Sequence, residues 1–320
     1  MKDDQLPLAP GVYFDLSENV YHSDPFEHIS LSSSVGKTLL AQSPLHAWTG
    51  HPRLNPAWEP SDPRKFDLAK AAHALMLNDR PERIAVIDFD DYRKNAAQAA
   101  RDEAIANGQL PMLLEQYERV MAMVQAGREQ LVQSADGRAF LDSAALSEVT
   151  LGWLDRGAMC RARIDRLAAD HSIIFDYKTT KASAHPDGFG RVATSMQYRF
   201  QMQFYRRGYA ACFPDRPTPQ WRWIVQEDYP PYGLSIIAPD EAGEMIADQD
   251  VELALAIWRE CMQSGQWPGY PPVTAVLETP VWEQTRFEHV KQSLGYRDAR
   301  DTQAIRDRLF KWYAPIKDGV

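Results

Sequence analysis

Five segments in the second half of the chain combine apolar runs with bounding turn residues, a pattern that predicts β-strands. The turns Asp155-Arg156-Gly157 and Ala169-Asp170-His171 join the first three of them. The segments cover residues 145–154, 158–168, 172–179, 221–226 and 232–238. Together they predict a small sheet at the centre of the fold.

Helical patterns precede and follow these strands. Residues 66–78 are rich in Ala and Leu and contain no Gly or Pro, which favours a helix. We expect further helices in SSSVGKTLLAQ, over about 90–133, near 195–212, near 239–264 and beyond 286, with a loop at Pro186, Gly188 and Gly190. The sequence therefore predicts an α/β domain with helices on both sides of a small mixed sheet.

The chain of 320 residues is long enough for one large domain. We expect one compact domain in three segments. Residues 61–285 form the core, residues 1–60 pack on this core or gate its functional site, and residues 286–320 form a helical extension. In the extension, apolar residues share one helix face, namely Ile305, Leu309 and Trp312. That face could seal a subunit interface, dock a partner or cover the core, and the sequence does not decide between these roles.

Composition narrows the class of protein. No apolar run is long enough to cross a bilayer, and the start MKDDQLPLAPG lacks the order of a signal peptide. The three cysteines, Cys160, Cys212 and Cys261, are far apart and form no C-x-x-C pair, which argues against disulfides, zinc and iron–sulfur clusters. We therefore expect a cytoplasmic protein without a membrane partner.

Charge is distributed unevenly along the chain. The net charge of −9 argues against a protein that coats nucleic acid indiscriminately. Residues 156–207 nevertheless hold ten Lys and Arg against four Asp, a local +6 that leaves −15 for the remainder. This is either a chance cluster on a solvated surface or a basic cleft in an acidic body that attracts an anionic ligand.

The hairpin over residues 158–179 carries charges where a buried strand would have none. Asp176 and Lys178 share one strand face, and a turn centred on Ala169-Asp170 places Asp165 on the same face, diagonal to Asp176. Two carboxylates this close raise each other's pKa unless a cation lies between them. Hard oxygen ligands of this kind suit Mg²⁺ or Mn²⁺. The alternative is a solvated face with ordinary ion pairs.

The same turn also predicts the pairing of individual residues. It places Asp165 opposite Ile174 on the charged face, and Ile164 opposite Phe175 on the apolar face.

Asp176-Tyr177-Lys178 is the only [Asp/Glu]-x-Lys triplet in the chain, and Asp165 lies eleven residues upstream. This arrangement resembles the PD-(D/E)xK nuclease superfamily, in its RecB-like branch, and is most similar to the nuclease domain of exodeoxyribonuclease VIII and related phage proteins. The likeness runs from about residue 11 to 285 and implies a restriction-endonuclease-like α/β core. It is carried, in this order, by GVYFDLSENVYHSD, SLSSSVGKTLL, SPLHAW, AAHALML, SEVTLGW, CRARIDRL, IIFDYKTT, YRFQMQFY, VQEDYPPYG, WPGYPP and LETPVW.

The resemblance assigns roles to the residues of the hairpin. It implies that Asp165 and Asp176 bind one or two Mg²⁺ or Mn²⁺ ions, with the backbone carbonyl of Tyr177 as a further ligand. It implies that Lys178 positions or deprotonates the attacking water and stabilises charge on the phosphate. The chemistry would be metal-assisted hydrolysis of a phosphodiester.

Two residues outside the hairpin join this set by resemblance. His73 falls where RecB-like nucleases carry a metal-binding His on a helix, although Ala69 stands where the family usually has Gly. On its own, a His on an Ala/Leu helix is more often a satisfied core residue. Glu148 matches an acidic position that shapes the metal or water site, and an exposed strand Glu is the alternative.

Two polar motifs complete the resemblance. Gln201 and Tyr205 reproduce the Q-x-x-x-Y signature at i and i+4 on one helix face, and Gln197 extends that stripe one turn earlier. The stripe would hydrogen-bond a DNA backbone and brace the active site, or is an ordinary polar surface.

The second polar motif is S-x-S-x-x-K, formed by Ser32, Ser34 and Lys37. In the family these residues lie near the DNA entrance; a capped surface helix is the alternative. The stretch VGKT over 35–38 is not a P-loop, because Leu31 occupies the position that needs glycine.

The resemblance implies a metal-dependent exonuclease that degrades linear double-stranded DNA from its ends, from 5′ to 3′, in phage-type recombination. It further implies a single-strand annealing protein as partner, a ring-shaped homo-oligomer, and the cytoplasm of a bacterial host cell. An endonuclease or single-strand nuclease of the same superfamily is the first alternative. The second is a catalytically retired nuclease fold that serves as a DNA-binding adaptor, and the intact set Asp165, Asp176 and Lys178 argues against it.

Overall fold

The structure, a computed structural model, describes residues 6–14, 16–60, 68–78 and 83–294. The strands are β1 (Gly11–Tyr13), β2 (Leu31–Ser32), β3 (Ile84–Ile87), β4 (Leu110–Leu113), β5 (Leu146–Asp155), β6 (Ala158–Leu167), β7 (Ile173–Thr180), β8 (Gln220–Glu227) and β9 (Leu234–Ile237). The helices are α1 (Glu18–His22), α2 (Ser33–Ala41), α3 (Pro44–Thr49), α4 (Leu68–Asn78), α5 (Asn95–Ala106), α6 (Leu114–Leu131), α7 (Ala135–Leu141), α8 (Pro186–Ser195), α9 (Tyr198–Cys212), α10 (Glu241–Ser264) and α11 (Val281–Leu294). The chain divides into two units, Met1–Gly269 and Tyr270–Val320.

A mixed sheet lies at the centre of the first unit. The described residues give it seven strands in the order β1-β5-β6-β7-β8-β9, with β2 beside β6. Strands β5, β6 and β7 are antiparallel neighbours, whereas β8 pairs parallel with β7. The five predicted strands are present as β5 to β9, and the predicted α/β class with a small mixed sheet is confirmed.

Each face of the sheet buries an apolar layer beneath helices. Helices α2, α9 and α10 pack on one layer, in which Phe200 and Leu255 are buried. Helices α4, α6 and α7 pack on the opposite layer, in which Phe140 and Phe175 are buried. Full burial of a Phe side chain stabilises a fold by about 1.5–3 kcal/mol, so both layers hold the sheet between the helices.

Strand β6 changes its partner along its length. Strand β7 pairs with residues 166–167 of β6, and β2 pairs with residues 160–161 further along the same edge. Among the described residues, 162–164 are therefore paired with β5 only, and Asp165 is paired with neither neighbouring strand. This gap between β2 and β7, which we call the fork, opens beside Asp165.

The hairpin between β6 and β7 has a different register from the predicted one. Leu167 pairs with Ile174, so the prediction that Asp165 faces Ile174 is wrong, and continuation of the register brings Asp165 opposite Asp176. The loop is longer than a tight turn centred on Ala169-Asp170, because Ala168 N–H donates to the carbonyl of Ile173 across four intervening residues. His171 adopts a φ of 64° within that loop.

Side-chain alternation breaks where β5 and β6 pass the fork. Ile164 packs in the same apolar layer as Leu167, although a spacing of three would place them on opposite faces. Glu148 lies opposite this break with a φ of 55°. Ile164 therefore does not share a layer with Phe175, and that predicted pairing is wrong.

Two helical predictions are also corrected. The region 90–133 is not one helical stretch, because Gly108 turns the chain with a φ of 70° after α5 and β4 then pairs parallel with β3. The glycine-containing segment after Pro186 is helix α8 rather than a loop. Proline is tolerated in the first helical turn, where its missing N–H is not needed.

The second unit contains α11. The predicted extension over 286–320 is helical as far as Leu294, and the predicted stripe of Ile305, Leu309 and Trp312 lies outside the described residues. In the described ranges, no helix has the length and apolar character that crossing a membrane requires.

Candidate active site

Four ionisable side chains meet beside the fork. Asp165 comes from β6, Asp176 and Lys178 from β7, and His73 from α4. His73 Nε2 lies 3.2 Å from Asp165 Oδ2, and Lys178 Nζ lies 2.8 Å from Asp176 Oδ1. The structure thus brings together the two carboxylates, the lysine and the histidine that the sequence singled out.

The two carboxylates are held in different ways. Asp165 Oδ2 accepts the backbone N–H of Tyr177 at 3.1 Å, so this side chain bridges β6 to β7 where the ladder stops. Asp176 Oδ1 accepts from Lys178 and, at 3.0 Å, from Gln201 Nε2. Asp176 Oδ2 is buried and has no hydrogen-bond partner among the described residues. A buried carboxylate oxygen without a partner costs free energy of folding unless a cation or a hydrogen-bond donor approaches it.

The environment separates the pKa values of the two carboxyl groups. Burial and repulsion from Asp165 raise the pKa of Asp176 to about 6, although the charge of Lys178 works in the opposite direction. Burial would also raise the pKa of Asp165, but the charge and hydrogen bond of His73 outweigh it and lower the value to about 2. Burial disfavours the charged form of His73, yet Asp165 raises the pKa of this imidazole. The pair titrates as a unit, and Asp176 is the group that takes the proton first as the pH falls.

The donors at this site fit a divalent cation. Within the described ranges, no three His, Cys, Asp or Glu side chains form a ready metal cluster. The observation that favours a cation is the unpartnered Oδ2 of Asp176 beside a second carboxylate and an imidazole. Asp165, Asp176 and His73 would hold the ion, with the carbonyl of Tyr177 as the further ligand and substrate oxygens or water completing the shell.

Glu148 lies next to the site in an ion pair. Arg163 Nη2 is 2.8 Å from Glu148 Oε1, and Arg83 Nη1 is 3.5 Å from Glu148 Oε2. Its charge contributes to raising the pKa of His73. The left-handed φ of Glu148 is unusual for a non-glycine residue, and such outliers often mark functional positions. The carboxylate is therefore near the predicted ligands but is engaged by arginines.

Gln201 and Tyr205 lie on the face of α9 that covers the site. Gln201 fixes Asp176 by the hydrogen bond described above, and Tyr205 is buried next to Ser33 of α2, whose hydroxyl partly offsets the rise in the pKa of Tyr205 that burial causes. Gln197 does not extend this stripe. It is the residue before α9 and adopts a left-handed φ of 51°, so the predicted stripe of three is wrong because the helix begins at Tyr198.

Helix α2 begins beside Tyr205. Ser32 caps it by accepting the N–H of Val35 at 3.4 Å, and Ser34 Oγ lies 2.9 Å from Ser32 Oγ. One turn later, Lys37 Nζ lies 5.7 Å from the centroid of the Tyr198 ring. Ser32 therefore caps the helix in this structure and Ser34 contacts the capping hydroxyl, whereas Lys37 lies near Lys178 over the Tyr198 ring.

The arginines of residues 156–207 do not form a basic cleft as a group. Arg207, for example, pairs with Asp155, Asp248 and Glu252. Arg166 is buried and donates to backbone carbonyls, among them that of Phe140. The remaining pairs are Arg156–Glu252, Arg161–Asp24, Arg163–Glu148, Arg199–Asp240 and Arg206–Glu244. Most of the local positive charge is thus compensated by acidic residues from distant segments.

Sequence reasoning missed a buried polar network that supports the fork. Asp24 accepts the backbone N–H of Ser30 at 3.0 Å and lies 3.0 Å from Arg161 Nη1. His51 Nε2 lies 3.1 Å from the carbonyl oxygen of Ser30. The network ties the segment before β2 to β6. No local motif marks it, because Arg161 and Ser30 are 131 residues apart.

The mixed sheet, the Asp-x-Lys strand and the facing Asp define a domain of the PDDEXK type. The chain belongs to the family described as a PDDEXK-like domain of unknown function (DUF3799), whose model matches residues 32–273. No curated protein matches the chain. Among solved structures, the chain is similar to a "Putative exonuclease" from Eubacterium rectale, with a TM-score of 0.53, 12% identity, and coverage of 83% of this chain and 95% of that one.

These comparisons confirm the predicted superfamily and the restriction-endonuclease-like fold. They support a nuclease of this superfamily, whose members generally use divalent metal ions. They do not distinguish the exodeoxyribonuclease VIII branch from other branches.

Proposed function

We propose that the protein is a Mg²⁺- or Mn²⁺-dependent deoxyribonuclease that degrades linear double-stranded DNA from its ends, from 5′ to 3′. The observation that carries the hydrolytic part is the buried, unpartnered Oδ2 of Asp176 beside Asp165 and Lys178. Attack on free ends, its direction and a role in phage-type recombination are supported by the resemblance to exodeoxyribonuclease VIII.

The residues of the site divide the work of phosphodiester hydrolysis. A bound divalent ion supplies polarisation of the phosphoryl oxygens and a water molecule of lowered pKa. Asp165, Asp176 and His73 would hold that ion, and the 3.2 Å contact between His73 and Asp165 keeps these two side chains together at the site. Gln201 fixes the rotamer of Asp176. Lys178 presents its ammonium to the attacking water and to the charge that develops on the phosphate.

A metal-dependent digestion assay tests this function. Linear duplexes labelled at the 5′ or the 3′ end and a covalently closed circle are incubated with Mg²⁺, with Mn²⁺ or with chelator. We expect early release of the 5′ label, late release of the 3′ label and an intact circle. Digestion of the circle would favour the endonuclease alternative, and absence of cleavage with either metal would favour the adaptor.

The assembly is a separate part of the proposal. By resemblance, we propose a homo-oligomeric ring around DNA and an annealing protein that binds the exposed strand. The mass of the full-length protein measured by light scattering tests the ring, and a monomeric mass at micromolar concentration would exclude it.

A further inference from the structure

Lys37 is a half-buried lysine next to the active site. Its ammonium group and that of Lys178 lie over the same ring, that of Tyr198, which places Lys37 beside the candidate catalytic lysine. Burial and the charge of Lys178 lower the pKa of Lys37, and the charge of Asp176 opposes that shift. Lys178 has a carboxylate of its own at 2.8 Å. For Lys37, the described part of the chain provides no Asp or Glu within ion-pair distance. A partly desolvated ammonium without a counterion is a site where an anion binds favourably.

One aromatic ring attracts both ammonium groups. The centroid of the Tyr198 ring lies 5.7 Å from Lys37 Nζ and 5.0 Å from Lys178 Nζ, which is within cation–π range. Tyr198 is the first residue of α9, three positions before Gln201. Its ring stacks on Phe189 of α8, with centroids 5.9 Å apart and an interplanar angle of 26°, and this contact fixes the ring orientation.

The ammonium groups of Lys37 and Lys178 repel each other, and contacts with Asp176 and Tyr198 offset this repulsion. Asp176 compensates the charge of Lys178, and the electron-rich face of Tyr198 attracts both groups. Asp165 also attracts Lys178 but is itself paired with His73, so Lys37 is the ammonium of this group that has no carboxylate of its own among the described residues. A phosphate of DNA carries the single negative charge that would balance it.

We propose that Lys37 is a second phosphate-binding ammonium of the active site, and that Tyr198 is the residue that positions Lys37 and Lys178 together. This inference rests on the proposed nuclease function, because the anion it invokes is a phosphodiester of the DNA substrate. Lys37 would contact the DNA, whereas Tyr198 would act only through the two lysines.

Equilibrium DNA binding by the full-length protein in chelator tests the role of Lys37 without turnover. A labelled linear duplex is titrated at several salt concentrations with the wild type, Lys37→Met and the control Lys94→Met. Lys94 is the control because its Nζ also lies over an aromatic ring, 5.9 Å from the Phe89 centroid, but its acidic neighbour is Asp91 rather than the carboxylates of the candidate active site. For Lys37→Met we expect about tenfold weaker binding near physiological salt and a salt slope lower by about one; for Lys94→Met we expect no change.

Steady-state digestion with Mg²⁺ tests the role of Tyr198. Tyr198→Phe keeps the ring and should retain the wild-type kcat/KM, whereas Tyr198→Leu should lower it about tenfold. The double variant Lys37→Met/Tyr198→Leu should lose less than the product of the two single losses, because both remove the same interaction. If Tyr198→Leu does not fold, Tyr198→Met replaces the ring with a flexible side chain of comparable length and repeats the comparison. Fully multiplicative losses, or loss of activity in Tyr198→Phe, would overturn the positioning role.

The outcomes separate this inference from the function on which it rests. A wild-type protein that neither binds nor cleaves DNA refutes the proposed nuclease. A wild type that cleaves DNA, together with a Lys37→Met variant that binds like Lys94→Met, overturns the second phosphate site alone.

Discussion

Replacement of Asp176 by asparagine tests the electrostatic description of the site. The pKa of Asp176 is raised from its ordinary 3.8 to about 6 by burial and by Asp165. A shift of roughly two units corresponds to about 3 kcal/mol, which is the free energy of folding lost when this buried carboxyl group ionises without a bound cation. Asparagine keeps an acceptor for Lys178 and Gln201 but loses the ionic attraction to Lys178. We therefore expect Asp176→Asn to stabilise the metal-free protein at pH 8 by about 1–2 kcal/mol.

The dependence of this gain on pH follows from the direction of the pKa shift. The protonated carboxyl group of Asp176 contributes its full stability below pH 3.8, its unfolded value, and loses it as the pH rises through about 6. The advantage of Asp176→Asn should thus be small near pH 4 and complete at pH 8. Thermal unfolding with chelator should show a melting temperature higher by about 2–6 °C at pH 8.

Asp165→Asn is the matched control, because the shift at Asp165 has the opposite sign. The pKa of Asp165 is lowered to about 2, so its carboxylate stabilises the fold above pH 3.8 and loses that contribution as the pH falls towards 2. At pH 8 this control should be destabilised by about 2 kcal/mol. If both variants shift the melting temperature in the same direction, or if the gain of Asp176→Asn is equal at pH 4 and pH 8, the assignment of the proton to Asp176 is wrong. Added Mg²⁺ should stabilise the wild type and reduce the difference from Asp176→Asn, since only the wild type keeps both carboxylates.

Three further substitutions test the scaffold and the site. Phe140→Ala should destabilise the protein by about 3–5 kcal/mol in urea unfolding, because Phe140 is fully buried and the layer around it cannot collapse completely. Gly208→Ala should cost about 1–3 kcal/mol in the same assay, because an added Cβ would lie 2.7 Å from the Trp153 ring; an unchanged midpoint would mean that α9 and β5 separate easily. Gln201→Leu should lower kcat about tenfold with little change in DNA affinity, because it removes the donor that fixes Asp176; an equal rise in KM would instead indicate a direct DNA contact.

The sequence was sufficient to predict the parts of the fold that depend on local patterns. Strands β5 to β9 are marked by apolar runs and turn residues, and side-chain alternation places Asp176 and Lys178 on one face of β7 whatever the register. The register itself was not predictable, because the loop after β6 depends on the left-handed φ of His171. The β3–β4 pair was missed for a similar reason: each strand has only four residues, too few for periodicity to distinguish from helical surroundings.

Partners of the charged residues were the least predictable part of the site. The count of charges over 156–207 made a basic cleft one of the two predicted alternatives. Such a count cannot include the acidic partners that other segments supply in the folded protein. Asp24 and Glu252 lie far from that segment in sequence, yet Asp24 pairs with Arg161, and Glu252 pairs with both Arg156 and Arg207. Tyr198 is a different case. It lies three residues before Gln201, and therefore on a neighbouring helical position, so helical spacing offered a pattern that could have included it.

The fork gives a physical reason for the position of the site in this sheet. If β7 paired with β6 along its whole length, the backbone N–H of Tyr177 would be directed into a regular ladder and the side chain of Asp165 would have no role in strand pairing. Because β6 pairs with β2 beyond this point instead, the side chain of Asp165 accepts the N–H of Tyr177. The same oxygen, Asp165 Oδ2, therefore links β6 to β7 and contacts His73. The second carboxylate, Asp176, has no such compensation for its Oδ2. The interrupted ladder thus leaves Asp165 held by the fold itself, whereas the carboxylate of Asp176 needs an added positive charge. A cation that binds Asp176 would therefore lie at the fork, where the substrate has to be positioned.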